Sequence, residues 1–183
     1  MENKIRDLIR HIGDDPEREG LCETPSRVMR SYAEIYSGYG KNPAEVFKIF
    51  EDDQIGGLVY MKGIEFYSTC EHHMVPFFGI AHIGYIPNGP VIGASKLIRL
   101  LEIFARRLAI QERIATQVTT ALMEHLKPKG AVCILEAKHL CISCRGVNKQ
   151  NAVMGYSCMK GIFLEDSFEG MNARQEFLQL IKE

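Results

Sequence analysis

Cys70-Glu71-His72-His73 places one thiol and two imidazoles within four consecutive positions. A Cys and a His three residues apart have the spacing of a metal-ligand pair, yet two ligands alone do not hold zinc tightly. His139-Leu140-Cys141 offers a second half. On a strand, residues two apart share a face, so His139, Cys141, Ser143 and Arg145 are expected to project the same way. Cys70, His73 and Cys141 then give zinc three ligands of the soft and borderline kinds it prefers, with a fourth position left for water. An open zinc lowers the pKa of bound water to about 7 and supplies a nucleophile at neutral pH. His72 and His139, not spent as ligands, are free to move protons.

The same residues also spell a closed site. Cys70-x2-His73 with Cys141-x2-Cys144 is a complete Cys3His set, and zinc so enclosed is the staple of a non-catalytic, nucleotide-binding or oligomeric scaffold. Two features weigh against it. The interval from His73 to Cys141 is 68 residues (141 − 73 = 68), against roughly 12 to 20 between the halves of a zinc knuckle. On a regular strand Cys144 also points away from Cys141. Spacing alone leaves catalytic zinc, structural zinc and no metal all open.

Anion-binding residues come from other stretches. Gly93-Ala94-Ser95-Lys96 leads into a helix, whose unpaired N–H groups and dipole favour phosphate, and Lys96 and Arg99 fall in or near its first turn. The Walker pattern is absent. Arg27, near the start of an earlier helix, and Arg145, on the zinc wall, can add charge to the same polyanion. Gln111-Glu112-Arg113 opens a long helix, where a carboxylate can read a base or simply face solvent.

These residues need a scaffold. Ile5, Leu8, Ile9 and Ile12 repeat at helical spacing until Gly13-Asp14-Asp15-Pro16. Thr24-Pro25 and Asn42-Pro43 signal two further helix starts, the third helix carrying Val46, Phe47 and Phe50. From Leu58 the texture turns β-branched and aromatic, predicting a strand to Thr69 bent at Gly63, then a second over Phe77 to Ile86. A helix capped by Ser95, with Ile98, Leu101, Phe104, Ala105 and Leu108 inward, precedes another ending at Lys127-Pro128-Lys129-Gly130. Ala131 to Arg145 reads as a long strand, Val153 to Phe163 as a fourth, and Asn172 to Ile181 as a last helix. The order predicts an α+β fold with a four-stranded antiparallel sheet backed by two helices, residues 56–183, behind an N-terminal helical segment, residues 1–55. Such a sheet has two open edges, expected to be paired with neighbouring subunits.

Composition narrows the function. The chain has 183 residues, 46% hydrophobic and 25% charged, the balance of a globular protein. Lys plus Arg total 22 against 23 for Asp plus Glu, so no positive excess advertises nucleic acid or an anionic membrane. The most apolar stretch, Met74 to Ile86, falls short of the roughly 20 residues a spanning helix needs. No secretory pattern opens the sequence, so cytoplasm is the expected address, and six cysteines there read as core thiols and metal ligands. Cys22, Cys133 and Cys158 are expected to be packed thiols, and His82 a structural strand residue.

Assembled in order, these residues resemble the GTP cyclohydrolase I family. The resemblance covers nearly the whole chain: Glu19-Gly20-Leu21-x-Glu23-Thr24-Pro25-x-Arg27-Val28, Ser68-Thr69-Cys70-Glu71-His72-His73, Gly84-Tyr85-Ile86-Pro87, Ile92-Gly93-x-Ser95-Lys96, Gln111-Glu112-Arg113 and His139-x-Cys141-x3-Arg145-Gly146. It implies the tunnelling fold and a homodecamer with active sites at subunit boundaries. It implies that Cys70, His73 and Cys141 bind zinc, that His72 and His139 serve the proton transfers, and that Glu112, beside Gln111, anchors guanine. Arg27, Ser95, Lys96, Arg99 and Arg145 would surround the triphosphate, some from a neighbouring chain. The implied reaction converts GTP and water to formate and 7,8-dihydroneopterin triphosphate, the entry to folate or other pterins. Another tunnelling-fold activity, a nitrile reductase with a nucleophilic cysteine, is disfavoured by the zinc ligand set. Family members often carry Ser and Thr after the Arg-Gly pair, whereas Ala152-Val153-Met154-Gly155-Tyr156-Ser157-Cys158 keeps little of that run.

Overall fold

The computed structural model describes residues 1–51 and 55–182. Two compact units divide between Ser37 and Gly38. The boundary expected at 55/56 abuts residues 52–54, which lie outside the described residues.

The first unit holds α1 (Glu2–His11) and α2 (Thr24–Ile35). Ile9 of the apolar stripe is buried, while Leu8 and Ile12 are exposed. Thr24 does not cap α2. The helix begins at Thr24 itself with Pro25 next, so the fixed φ of proline rather than a side-chain oxygen sets the start. Cys22, expected to be packed, is exposed.

The second unit opens on a 3-10 turn, Pro43–Val46, capped by the Asn42 side chain, which accepts from the Ala44 N–H. Instead of a longer third helix, β1 (Ile49–Glu51) follows. Next come β2 (Val59–Cys70), β3 (Pro76–Ile86), β4 (Pro90–Ile92), α3 (Ala94–Ala105), β5 (Leu108–Ala109) and α4 (Gln111–His125). The chain ends with β6 (Gly130–His139), the single turn α5 (Leu140–Ser143), β7 (Met154–Gly161) and α6 (Phe168–Lys182).

The four expected antiparallel strands are present as neighbours β2-β3-β6-β7. Two features extend the expectation. β5 pairs in parallel with the end of β2, Leu108 opposite Thr69 and Ala109 opposite Cys70, and β1 and β4 form a separate two-stranded sheet. One face of the main sheet is apolar at every second position. Phe77, Ala81, Ile83 and Tyr85 of β3 meet Leu97, Leu100, Leu101 and Phe104 of α3 and Ile114, Val118 and Leu122 of α4. That set fills the inward stripe of α3, so Ile98, expected inside, is exposed. Part of the opposite face is covered by α6, whose Phe177 joins Val132 and Phe163 in a smaller core. Cys133 is buried and Cys158 half-buried, both against the main core.

β2 bends where the sequence predicts. Gly63 has φ +69° and the register shifts between Met61 and Ile64, a bulge that glycine accommodates without a Cβ clash. Beside it His82 is buried on β3 and accepts from the Gly63 N–H at Nδ1, 3.4 Å away. Burial pushes the His82 pKa down; the Glu136 carboxylate opposes that shift and Lys62 adds to it. An unfolded chain therefore takes up this proton first, so the neutral imidazole contributes stability above about pH 6.5 that is lost as pH falls through the folded value. His82→Gln is expected to lose less stability than the parent between pH 7 and pH 5, read from denaturant midpoints.

In the β3–β6 ladder, Gly79 lies opposite Ala137. A Cβ on Gly79 would collide with the backbone of Glu136 and Ala137, which cannot move without disturbing the ladder. Gly79→Ala should cost about 1–3 kcal/mol, the usual size of an overpacking penalty, seen as a lower denaturant midpoint at fixed protein concentration.

Candidate active site

β2 ends at Cys70, and Glu71 to Val75 turn the chain into β3. The Cys70 N–H donates to the Val75 carbonyl at 2.9 Å and the Met74 N–H to the Cys70 carbonyl at 2.8 Å. Closing so tight a turn puts Met74 at φ +53°, a left-handed conformation that a side chain adopts only at a cost and that clusters at functional turns. The turn directs the His73 ring toward Cys70, with Nδ1 3.7 Å from Sγ.

The long strand expected from Ala131 to Arg145 is not formed. β6 stops at His139, opposite Phe77; the preceding residue of β3 is Pro76, which has no N–H with which to extend the ladder. The chain folds into α5 instead, and the Ser143 hydroxyl donates to the His139 carbonyl at 3.2 Å. His139, Cys141, Ser143 and Arg145 therefore do not share a strand face. Cys141 arrives on the helical turn, and the ligand atoms of Cys70, His73 and Cys141 all lie within 4.8 Å of one another. Tetrahedral zinc with bonds of about 2.3 Å to sulfur and 2.0–2.1 Å to nitrogen separates its ligand atoms by roughly 3.5–3.8 Å, so the group closes on such an ion with shifts of about an ångström. Burial and the nearby Cys70 push the Cys141 thiol up, and Arg145 pulls it down. Two sulfurs and an imidazole nitrogen this close together form a group that could hold a metal ion. Ser68, buried two residues before Cys70 on the same face of β2, has a hydroxyl without a hydrogen-bond partner among the described residues. Cys144 is exposed and stands outside the group of Cys70, His73 and Cys141 that could hold a metal.

His139 stacks on Phe77, ring centroids 4.4 Å apart and planes at 6°. Its Nε2 is 2.8 Å from Oε1 of Gln111. Gln111, the first residue of α4, is fully buried, and its amide donates to the carbonyls of Leu135 at 2.8 Å and Met154 at 2.9 Å. One amide thus joins α4, β6, β7 and His139. Burial pushes the His139 pKa down, while the Glu112 carboxylate opposes the shift. Glu112 is half-buried at the same helix start.

Arg113 grips Glu71 with both guanidinium nitrogens, NH2 at 3.1 Å from Oε1 and NH1 on Oε2. The Arg113 guanidinium holds the Glu71 carboxyl below the usual carboxylate range. This fork ties the start of α4 to the turn that presents His72 and His73. His72 is exposed, its Nε2 3.9 Å from Glu71 Oε1. Sequence reasoning did not pair Glu71 with Arg113 or Phe77 with His139. No local spacing connects them; strand register and the β2–β5 pairing do.

The remaining site residues lie elsewhere. Ser95 does not cap α3, which starts after Gly93 without a side-chain cap. Lys96 and Arg99 line a cavity of about 400 Å³ with Lys41, Glu45 and Glu102. β3 begins next to the ligand turn and runs about 36 Å at 3.3 Å per residue before β4 and α3 begin. α3 returns toward β5 over about 18 Å, so its first turn is set back by about that length from the β5 end, where Ala109 pairs with Cys70. Arg145 is exposed near Cys141. Arg27, in the first unit, is exposed and paired with Glu23.

Fold and site together define an α+β chain, a largely antiparallel sheet backed by two helices, with a metal-capable Cys-His-Cys centre beside two further histidines. The sequence profile of GTP cyclohydrolase I matches residues 1–182, and the chain belongs to that family. It is 50% identical over 183 residues to GTP cyclohydrolase 1 of Wolinella succinogenes, covering 100% of this chain and 96% of the relative. The enzyme of the same name from Thermobifida fusca is 45% identical, with 99% and 86% covered, and that of Campylobacter jejuni strain 81-176 is 44% identical, with 99% and 94% covered. Among solved structures, the archaeosine synthase QueF-Like in its apo form aligns with TM-score 0.45 and 14% identity, over 57% of this chain and 93% of that one.

Zinc analysis separates the two ligand sets. Cys144→Ser should retain the parent's bound zinc per chain, and Cys141→Ser should lose most of it.

Proposed function

We propose that this chain is a zinc-dependent GTP cyclohydrolase I, converting GTP and one water to formate and 7,8-dihydroneopterin triphosphate at the entry to folate and other pterins. The observation that carries this reading is the convergence of Cys70, His73 and Cys141 from the ends of β2 and β6, next to His72 and His139, in a chain of this family. Cys70, His73 and Cys141 would hold the zinc, which when bound supplies the acidification of water needed for attack near neutral pH.

The chain's own residues do the rest. His72 and His139 move protons to and from the purine nitrogens as the imidazole ring opens and C8 leaves as formate. Glu112 accepts from N1–H and the 2-amino group of guanine, a donor pair that adenine lacks; losing a polar readout of this kind can cost a factor on the order of 10⁴ in discrimination. Gln111 supports this corner from beneath, its amide engaged by Leu135, Met154 and His139. Ser95, Lys96, Arg99, Arg27 and Arg145 bind the triphosphate.

α3 sets Ser95 and Lys96 about 18 Å from the β5 end of the sheet, where Ala109 pairs with Cys70, which supports a site completed by a second copy. The unpaired outer side of β7 among the described residues supports the same reading. With the family resemblance, we place the assembly at a homodecamer with sites at subunit boundaries. No helix among the described residues is long and apolar enough to cross a membrane, and with all six cysteines free we place the enzyme in the cytoplasm, without membrane or nucleic-acid partners.

Zinc-replete protein incubated with GTP should release formate and a pterin that fluoresces after oxidation, and His72→Ala should slow this by about 10²–10⁴-fold. A zinc-bound preparation that yields no formate from GTP would overturn the proposal.

A further inference from the structure

Among the described residues, the most completely satisfied buried polar group near the metal-ligand cluster is the Gln111 amide. Its NH2 faces two backbone carbonyls, of Leu135 and Met154. Carbonyl oxygens only accept, so the amide cannot be turned the other way round. Its Oε1 must then face His139, and an amide oxygen can only accept. The His139 nitrogen at 2.8 Å is therefore the donor. That nitrogen is Nε2, which leaves the lone pair of the neutral ring on Nδ1. Phe77, stacked at 6° on the ring, fixes the plane in which that lone pair lies.

We propose that Gln111 is a positioning residue for His139: it holds the Nε2–H tautomer and leaves Nδ1 as the nitrogen that exchanges a proton with the substrate. The inference rests on His139 being a proton-transfer residue of the proposed cyclohydrolase. With both amide hydrogens committed, the Gln111 side chain has no donor left for a base, and side-chain recognition of guanine at this helix start falls to Glu112. The alternative tautomer would leave the buried Oε1 facing a bare nitrogen lone pair, a loss that disfavours it by roughly five- to a hundredfold.

Gln111→Met keeps the length and removes the polar end. In zinc-replete protein it should lower kcat for formate release by roughly 10- to 100-fold, within the range expected when a proton-transfer group is disoriented. KM for GTP should stay within about threefold, and bound zinc should match the parent. A rise in KM with kcat unchanged marks a base-reading side chain and overturns the proposal, as does no change in either. A second measurement needs no substitution at Gln111. In zinc-replete parent protein carrying ¹⁵N-labelled histidine, at a pH where the ring is neutral, the His139 ring should show a pyrrole-type Nε2 and a pyridine-type Nδ1, assigned by loss of the signals in His139→Gln. The reversed pattern overturns the proposal even if Gln111→Met does not fold. Should the protein lack cyclohydrolase activity, the functional reading fails while the ring spectrum still reports on the tautomer.

Discussion

Ser68, Phe77 and His139 form one row across β2, β3 and β6, and the chemistry hangs from where that row is placed. Because side chains alternate along a strand, a slip of one residue in either pairing would turn Cys70 or His139 to the opposite face of the sheet. Register is held by the apolar face beneath: Phe66, Phe77, Ala81, Ile83, Leu135 and Ala137 all pack under α3 and α4. Burying that face is what brings Cys70 and Cys141, 71 positions apart (141 − 70 = 71), to one end of the sheet. The ligand turn and α5 add the last few ångströms.

Two polar links then attach α4 to this end, and they differ in kind. The Glu71–Arg113 fork is open to solvent, with side-chain exposures of 27% and 47%, so salt screens it and its effect is mainly orientation. The Gln111 amide is fully buried, where every unmet hydrogen bond carries its full desolvation cost. The buried link dominates. It makes the starting point of α4, and with it the position of Glu112, a consequence of backbone carbonyls on β6 and β7.

Much of this was legible in residue patterns. Alternation and helical spacing place β2, β3, β7, α3 and α4 to within a few residues, because each buries one face against the same core. The ligand group follows from residue chemistry and family resemblance. What escaped was set by tertiary context. α5 exists because β3 has Pro76 where β6 would need a ladder partner. β5 is two residues long and has no periodicity to read. Met74 adopts the left-handed region with no glycine to announce it. Gln111 looked like a surface or substrate-facing amide at a helix start; only the strands that meet behind it show that its hydrogen bonds are already taken.

Setting the first turn of α3 about 18 Å from the β5 end of the sheet beside Cys70 has a genetic consequence. If each working centre borrows one end from either neighbour, a lesion at Lys96 and a lesion at Cys141 strike different halves of different centres. Chains carrying opposite lesions, mixed in one such assembly, would meet at some boundaries with both intact ends together. Activity in such mixtures would exceed that of either defective chain alone, so the inheritance of damage follows the boundary rather than the polypeptide.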